Sequence, residues 1–570
     1  MAESVDALVS NTSRATCAGS TPALGTRGWK SSLIKALVHP LFSELNPNTM
    51  NIKISLLFLL CCMSATNVHA QSLELPEDAV CPDWQSEIPR VVFPDQDLVD
   101  LYEKTWEIAA GRVRKGPEGM AASPYLDENC YEDQIWIWDG CFMVLFSKYA
   151  PKAYPGKETL MNYYVPIHDH VRTPLLIHLR DNPPLFAWVE NENYRFTGDR
   201  AQIDKVLYEK QYLQKHFIYF DTIPQGNVNT DVSPAYNPIH RGVVHDSEGN
   251  IIGYTWHGGA SGMDNTPRGR DAGGWDKVMW VDAISQQALS ALNIAGLFHA
   301  TGDKAQAKAW QKKYDQLKQT INERYWDEKD GFYYDISVAD GTPCRVMTPA
   351  SFWAMLAGIP SQKQANRMVQ YLKSKDFLGG ERPWNTLSRK DKDYNDATGD
   401  YWRGGIWLPT AYMGTKALEG YGYYDLADEL AERVVRLQLS TYQAVEPHTI
   451  WECYSPSADS PSTEHGHRAR PNFCGWSALG PISLFIENIM GFRHADALTR
   501  TVTWSLKAKN GTHGLRNFHF GDITTDIIYN AETGRIETTT DKPYRLNVNG
   551  KTIKVKKGKY SYPLPPKYIR

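Results

Sequence analysis

Two carboxylic acids, Asp264 and Glu452, stand in segments whose composition suits sugar chemistry. The first lies in Gly259-Ala-Ser-Gly-Met-Asp264-Asn265-Thr-Pro-Arg268, the second in Ile450-Trp451-Glu452-Cys-Tyr454-Ser-Pro456. Hydrolysis of a glycoside needs one carboxylic acid to protonate the departing oxygen and one carboxylate to activate water or attack carbon. It also needs aromatic walls and polar groups that grip hydroxyls. Three more segments offer them: Trp136-Ile-Trp138-Asp139-Gly-Cys-Phe142, Asp400-Tyr-Trp402-Arg403-Gly-Gly-Ile-Trp407 and Asn472-Phe-Cys-Gly475-Trp476-Ser-Ala. Singly, each segment is weak. An Asp beside Gly and Asn is more often a turn former, a Glu after Trp an ion-pair partner, an Arg between Trp and Gly a structural arginine. Together, in this order on one scaffold, they are far more specific.

The elements that must position these residues are helical from about residue 95 to 495. Trp310, Tyr314, Leu317, Ile321 and Tyr325 repeat at helical spacing with lysines and glutamine between them. Ile284, Ala288, Leu292 and Ala295 mark the helix before, which ends near Gly302. Apolar helical stretches follow at about 349–358, 406–419, 424–440 and 476–490. Some have little polar face, as inner helices of a two-layer barrel would. Phe196-Thr-Gly198-Asp199-Arg-Ala-Gln202 returns as Ala300-Thr-Gly302-Asp303-Lys-Ala-Gln306, and more loosely as Gly420-Tyr-Gly422-Tyr-Tyr-Asp425. In each copy a glycine can end one helix and an aspartate cap the next. Such units imply stacked helical hairpins. Their irregularity and long intervening loops favour a closed ring over an open solenoid. After about residue 497 the pattern turns β-branched, with strands expected near 499–506, 526–529, 535–539, 545–548 and 552–556. Asn549-Gly550 is a hairpin signal. The expected domains are a barrel at 95–495 and a small antiparallel β domain at 496–570 that supports it.

Met50-Asn-Ile-Lys, the apolar run Ile54 to Met63 and the small-x-small Val68-His69-Ala70 read as a signal peptide over 50–70. The apolar run is too short to span a bilayer. The expectation is an exported protein, periplasmic or secreted, with 1–49 as upstream sequence and 71–94 as a lead-in. Of nine cysteines, six follow residue 70, and no CxxC pair occurs, which disfavours a zinc site. Cys130 with Cys141, or Cys453 with Cys474, are conceivable disulfides, and six separate buried thiols are the other reading. A net charge of −4 of mixed sign gives no footprint for nucleic acid or an anionic membrane. The 18 Trp and 31 Tyr fit a large aromatic core and, equally, platforms for sugar rings.

These segments resemble glycoside hydrolase family 63. Ala260-Ser-Gly-Met-Asp-Asn-Thr-Pro-Arg268 looks like its acid-bearing motif. Trp451-Glu-Cys-Tyr-Ser-Pro456 with Phe473-Cys-Gly-Trp-Ser-Ala478 is similar to its second-carboxylate segment. Tyr401-Trp-Arg-Gly-Gly405 with Trp407, Trp138-Asp139 and Asn182-Pro-Pro184 resemble three further motifs, and family 37 trehalases share the order. The resemblance implies an all-α class, an (α/α)6 toroid carrying the small C-terminal β domain. It also implies an inverting, exo-acting α-glycosidase, α-glucosyl by default, acting on an oligosaccharide or glycoside. Asp264 would be the general acid and Glu452 the base, with Glu464 and Glu446 as rival bases. Trp138, Asp139, Asn265, Arg268, Trp402, Arg403, Trp407, Trp451, Tyr454 and Trp476 would bind substrate. Trp256 and Trp275 would give Asp264 a dry wall and Asp139 a nearby charge. No glutamate precedes Ser261, Gly405 replaces a proline and Asn182 a glutamine, departures that leave the donor sugar open. Two other classes fit the same toroid: a polysaccharide lyase using Tyr401, Arg403, His465 and His467, and a sugar-binding protein without catalysis. No cofactor is expected, although a structural Ca²⁺ would be invisible in sequence.

Overall fold

The computed structural model describes residues 79–80, 83–128, 133–177, 183–222 and 242–569. The signal peptide expected at 50–70, residues 1–49, the start of the lead-in, Cys81, Cys130 and Asn182 lie outside the described residues. Among the described residues, strand β1 (Arg90–Val92) precedes six successive pairs of an outer and an inner helix. These are α1 (Gln96–Ala110) with α2 (Ile137–Ser147), α3 (Gly156–His168) with α4 (Phe186–Thr197), and α5 (Tyr212–Thr222) with α6 (Val281–Thr301). Then come α7 (Lys304–Arg324) with α8 (Phe352–Leu356), α9 (Gln362–Lys373) with α10 (Leu408–Gly420), and α11 (Tyr424–Ala444) with the π-wound α12 (Gly480–Ile489). The first helix of a pair is amphipathic: α7 buries Trp310, Tyr314 and Ile321 and exposes most of the rest. Second helices are largely buried, and α2 and α12 bury every residue. Inner helices pack in sequence, α2 on α4, then α6, α8, α10 and α12, and α12 returns to α2. The ring is closed.

The repeated turns behave as their composition predicts in two copies. Gly198 and Gly302 end α4 and α6 in the left-handed region, at φ +68° and +94°. Asp199 and Asp303 then accept the backbone N–H of Gln202 and Gln306, each at 3.0 Å. In the third copy Tyr423 precedes α11 without a side-chain cap. Asp425 sits inside the first turn, where it complements the helix dipole.

An all-α class is too narrow. A five-stranded sheet, β2 (Gly242–His245), β3 (Ile251–Thr255), β4 (Val278–Met279), β5 (Asp335–Ser337) and β6 (Pro343–Cys344), brackets the Asp264 segment in the order β6-β5-β4-β3-β2. Strands of two to five residues are too short for an alternating pattern to emerge. The C-terminal region begins earlier than expected. It comprises β7 (Phe492–Asp496), β8 (Thr501–Trp504), β9 (His513–Phe520), β10 (Ile523–Asn530), β11 (Arg535–Thr540), β12 (Tyr544–Val548), β13 (Lys551–Val555) and β14 (Gly558–Pro563). One sheet runs β1-β9-β10-β11-β14, so the lead-in strand completes it; the other runs β7-β8-β12-β13. That second sheet is mixed, because β8 lies parallel to β12. Asn549 and Gly550, at φ +46° and +89°, make the tight turn between β12 and β13. Cys141, Cys344, Cys453 and Cys474 are buried free thiols, so Cys453 and Cys474 are not bridged.

Arg268 ties the Asp264 segment to this frame. Its guanidinium binds Asp282, in the first turn of α6, at 2.7 and 2.9 Å, and Asp335 of β5 at 2.6 and 2.8 Å. It lies 4.2 Å from the Trp280 ring centroid and is 1% exposed. The residue expected to bind substrate is instead a buried clamp with all its charge engaged. Arg268→Met should destabilise the protein by about 3–5 kcal/mol, because two carboxylates would lose their buried partner. The urea midpoint measures this, and a shift equivalent to less than about 1 kcal/mol would show that the clamp carries little.

Candidate active site

Loops at the N-terminal ends of α2, α10 and α12 meet the Asp264 segment around a pocket of about 370 Å³. Asp264, Glu452, Asp139, Trp138, Trp402, Trp407 and Trp476, all expected from sequence, line it together. Trp136, Tyr401, His257, Glu464 and Arg470 complete most of the wall.

Asp264 follows a single helical turn, Gly258–Ser261, entered from His257, whose Nδ1 accepts the Ala260 N–H. Ser261 Oγ accepts the Met263 N–H at 3.2 Å and fixes the approach to the acid. Gly262 is left-handed at φ +73°, and a Cβ there would lie 2.8 Å from the Trp138 indole. Only glycine lets the loop close on that ring. Asn265 then spans to the next loop: its Nδ2 donates to the Asp400 carbonyl at 2.9 Å and its Oδ1 accepts the Trp402 N–H at 2.8 Å.

Between those two contacts sits Tyr401, left-handed at φ +64°. Its hydroxyl donates to Glu452 Oε1 at 2.7 Å. Arg470 Nη1 donates to both Glu452 oxygens, at 2.9 and 3.0 Å, and the Arg470 N–H reaches Oε2 at 3.2 Å. Glu452 is 1% exposed, so these donors make up most of its surroundings. The Trp476 indole N–H donates to the Glu452 carbonyl at 2.8 Å, so the wall and the Glu452 segment are joined. Trp402 stacks on Trp407 with centroids 4.0 Å apart, and Trp407 Nε1 donates to the Tyr401 carbonyl. The aromatic wall is rigid.

Electrostatics divide the carboxyls. Burial first, then Glu452 and Asp264, hold Asp139 well above the usual carboxylate range. Asp139 Oδ1 is buried without a hydrogen-bond partner among the described residues. Behind it, burial, Asp127 and Asp139 push Glu128 up in the same way, and neither of its buried oxygens has such a partner. Glu464 is raised by burial, against the pull of Arg470 at 3.6 Å. Burial, then Glu452, keeps the Tyr401 hydroxyl protonated, so it remains a donor.

Five expected binding residues fall outside the lining. Besides Arg268, Asn265 acts as the bridge just described. Arg403 directs Nε to the Asn265 carbonyl, and its side chain is 44% exposed. Tyr454 is fully buried, its hydroxyl accepting the Trp451 N–H and Gln438 Nε2, and Trp451 is buried beside it. Both belong to the buried segment that carries Glu452. Trp256 is buried and Trp275 is 37% exposed; neither lines the pocket, where Trp138, Trp402, Trp407 and Trp476 form the apolar wall. Glu446 is exposed and bound to His448, away from the lining. Sequence reasoning misses Arg470 altogether, since nothing local marks an arginine that folds back eighteen residues through the β-hairpin of Thr463–Glu464 and His467–Arg468. Tyr401 lies inside a legible motif but is overshadowed there by Trp402. Among the described residues, no three of His, Cys, Asp or Glu are grouped so as to hold a metal.

The family model described as "Mannosylglycerate hydrolase MGH1-like glycoside hydrolase domain" matches residues 178–473. An uncharacterised protein of Borreliella burgdorferi is 26% identical over 503 residues, covering 83% of this chain and 98% of its own. Among solved structures, a sialidase superposes with a TM-score of 0.64 at 14% identity, over 86% of this chain and 43% of its own. The family 63 mannosylglycerate hydrolase from Thermus thermophilus in complex with glucose gives 0.50 at 16% identity, over 67% of this chain and 99% of its own. These likenesses are of fold, and the chain spans less than half of the sialidase. With half of its length matched by the family model, this chain belongs to the MGH1-like glycoside hydrolases of family 63.

Proposed function

We propose that this chain is an exported, inverting, exo-acting α-glycosidase that releases an α-linked glucosyl unit from an oligosaccharide or glycoside. Asp264 protonates the glycosidic oxygen as it departs. Glu452 takes the proton from a water that attacks the anomeric carbon from the opposite face. The observation that carries this reading is the joint presence of both carboxyls in one aromatic pocket with different surroundings. Glu452 is clasped by Arg470 and Tyr401. Four carboxyls share a single lining arginine, and burial raises the proton affinity of Asp139 and Glu464 among them. A pocket, rather than an open groove, suits removal of a terminal unit. The family's name and the glucose held by the Thermus enzyme are consistent with a hexosyl donor. His465 and His467, which a lyase would recruit beside Tyr401, are exposed on a hairpin and do not line the pocket.

Aryl α-glucosides, α-mannosides and reducing and non-reducing disaccharides, followed by proton NMR of the first anomer released, test the reading. The β-anomer is expected from an α-glucoside. Release of the α-anomer, or formation of an absorbing unsaturated product, would overturn it. Asp264→Asn and Glu452→Gln should each lower kcat at least ~10²-fold with native circular dichroism, through loss of acid–base catalysis. Glu464→Gln should cost about tenfold or less; the reverse ranking would make Glu464 the base.

Asp139 carries a pH signature of its own. Its proton affinity is raised on folding, so from the unfolded carboxylate pKa upward the native state is increasingly penalised for ionising it. Asp139→Asn should therefore raise Tm at pH 7 but not near pH 3.5, where the group is protonated in both states, while turnover falls. An equal Tm shift at both pH values would refute the buried-charge account.

A further inference from the structure

A second cavity, about 800 Å³ against 370 Å³ for the candidate active site, lies at the other end of the barrel. No lining residue is shared between the two. The inner helices fix this relation. Helix α2 starts beside Trp138 and ends at Lys148, and α10 starts at Trp407 and ends past Lys416 and Gly420. The thirteen residues of α10 set the two cavities about 20 Å apart along the axis.

The floor of this cavity is one cross-strand row of the mixed sheet. His494 of β7 pairs with Thr503 of β8, Thr503 with Asn547 of β12, and Asn547 with Thr552 of β13. All four line the cavity, and none is fully buried. Thr552 donates to Asn547 Oδ1 at 2.8 Å, which leaves the amide Nδ2 to donate elsewhere. Tyr424, at the start of α11, stands at the edge 49% exposed, with the Arg493 guanidinium 5.3 Å from its ring centroid.

Charge narrows the class of ligand: three cations, Lys148, Lys416 and Arg493, and three acids, Glu192, Glu419 and Glu487, line the cavity. The cationic walls are already engaged: Lys148 and Lys416 bind Glu487 at 3.3 and 2.7 Å, and Arg493 binds Glu419 at 3.1 Å and also Asp428. A phosphate or carboxylate would have to displace one of these acids. An apolar ligand would strip water from a row of hydroxyl, amide and imidazole groups. A neutral pyranose meets neither cost. Its hydroxyls can exchange donors and acceptors along the row, and its C–H face can lie on an exposed tyrosine.

We propose that this cavity is a non-catalytic binding site for a neutral oligosaccharide, seated between barrel and sheet and remote from the acid and base. It goes beyond the glycosidase reading and does not rest on it, because binding is scored without turnover. The full chain carrying Asp264→Asn is applied to immobilised neutral glycans (α-glucans, β-glucans, mannans and galactans) with heparin and polygalacturonate as acidic controls. Retention on at least one neutral glycan is expected. Adding Tyr424→Ala or Thr503→Val should weaken it about tenfold, whereas Tyr424→Phe, which keeps the ring, should preserve it. In the otherwise native chain, the same changes should leave turnover of a small aryl glycoside within about twofold. Unchanged urea midpoints separate lost binding from lost folding. No retention on any neutral glycan, retention confined to the acidic controls, or retention indifferent to both Tyr424→Ala and Thr503→Val would overturn the proposal.

Discussion

The site depends first on the Asn265 amide. It is the covalent neighbour of Asp264, and it grips the peptide groups on either side of Tyr401. Tyr401 in turn touches Glu452. Asp264 and Glu452 come from segments nearly two hundred residues apart, yet one side chain and one phenol connect them. The left-handed backbone at Tyr401 costs of order 1–3 kcal/mol, and two amide hydrogen bonds offset roughly that amount at about 1 kcal/mol each. What they add is placement, where small errors between reacting groups are expensive.

Around that bridge the barrel supplies direction. The inner helices α2, α10 and α12 begin at the pocket, and their N-terminal ends carry unpaired N–H groups and positive dipole ends that favour anions. Asp139 lies in the first turn of α2, and Asp282, the partner of Arg268, in the first turn of α6. These two carboxyls therefore sit where the backbone of a helix N-terminus favours negative charge. Helix ends at the opposite side meet the mixed sheet instead. There Glu487 and Glu419 engage the cations, Glu192 lines the space beside them, and hydroxyl and amide groups of the sheet face it.

What the sequence disclosed follows the range of the interactions. The helical repeat at Trp310, Tyr314 and Ile321, the Gly-Asp turns at 198–199 and 302–303, and the Asn549-Gly550 hairpin are local, and each has a local signature. Motif composition brings Asp264, Glu452 and the indoles of one wall to notice, because aromatic and acidic residues beside glycine are unusual. It misjudges Arg268 and Tyr454, whose partners Asp282, Asp335 and Gln438 lie elsewhere in the chain. An arginine that clamps a loop and one that holds a substrate look identical until those partners are seen. Arg470 shows the converse, a charge essential to the site's electrostatics with no local mark.

Asp139 and Glu128 are the remaining oddity, and they bear on why the pocket exists at all. Both have buried oxygens without hydrogen-bond partners among the described residues, and each raises the other's proton affinity or is raised by it. In a structural core this arrangement would be destabilising with no return, since an amide or apolar residue would pack at lower cost. A dry, indole-walled cavity that must receive hydroxyl groups is different. There a lining carboxyl such as Asp139 is already largely desolvated before a ligand arrives, so meeting a hydroxyl costs it little further hydration. Of the two acids Asp139 alone lines the pocket, so only its cost can be offset by a bound ligand, while Glu128, sealed behind it, stays a cost of the fold.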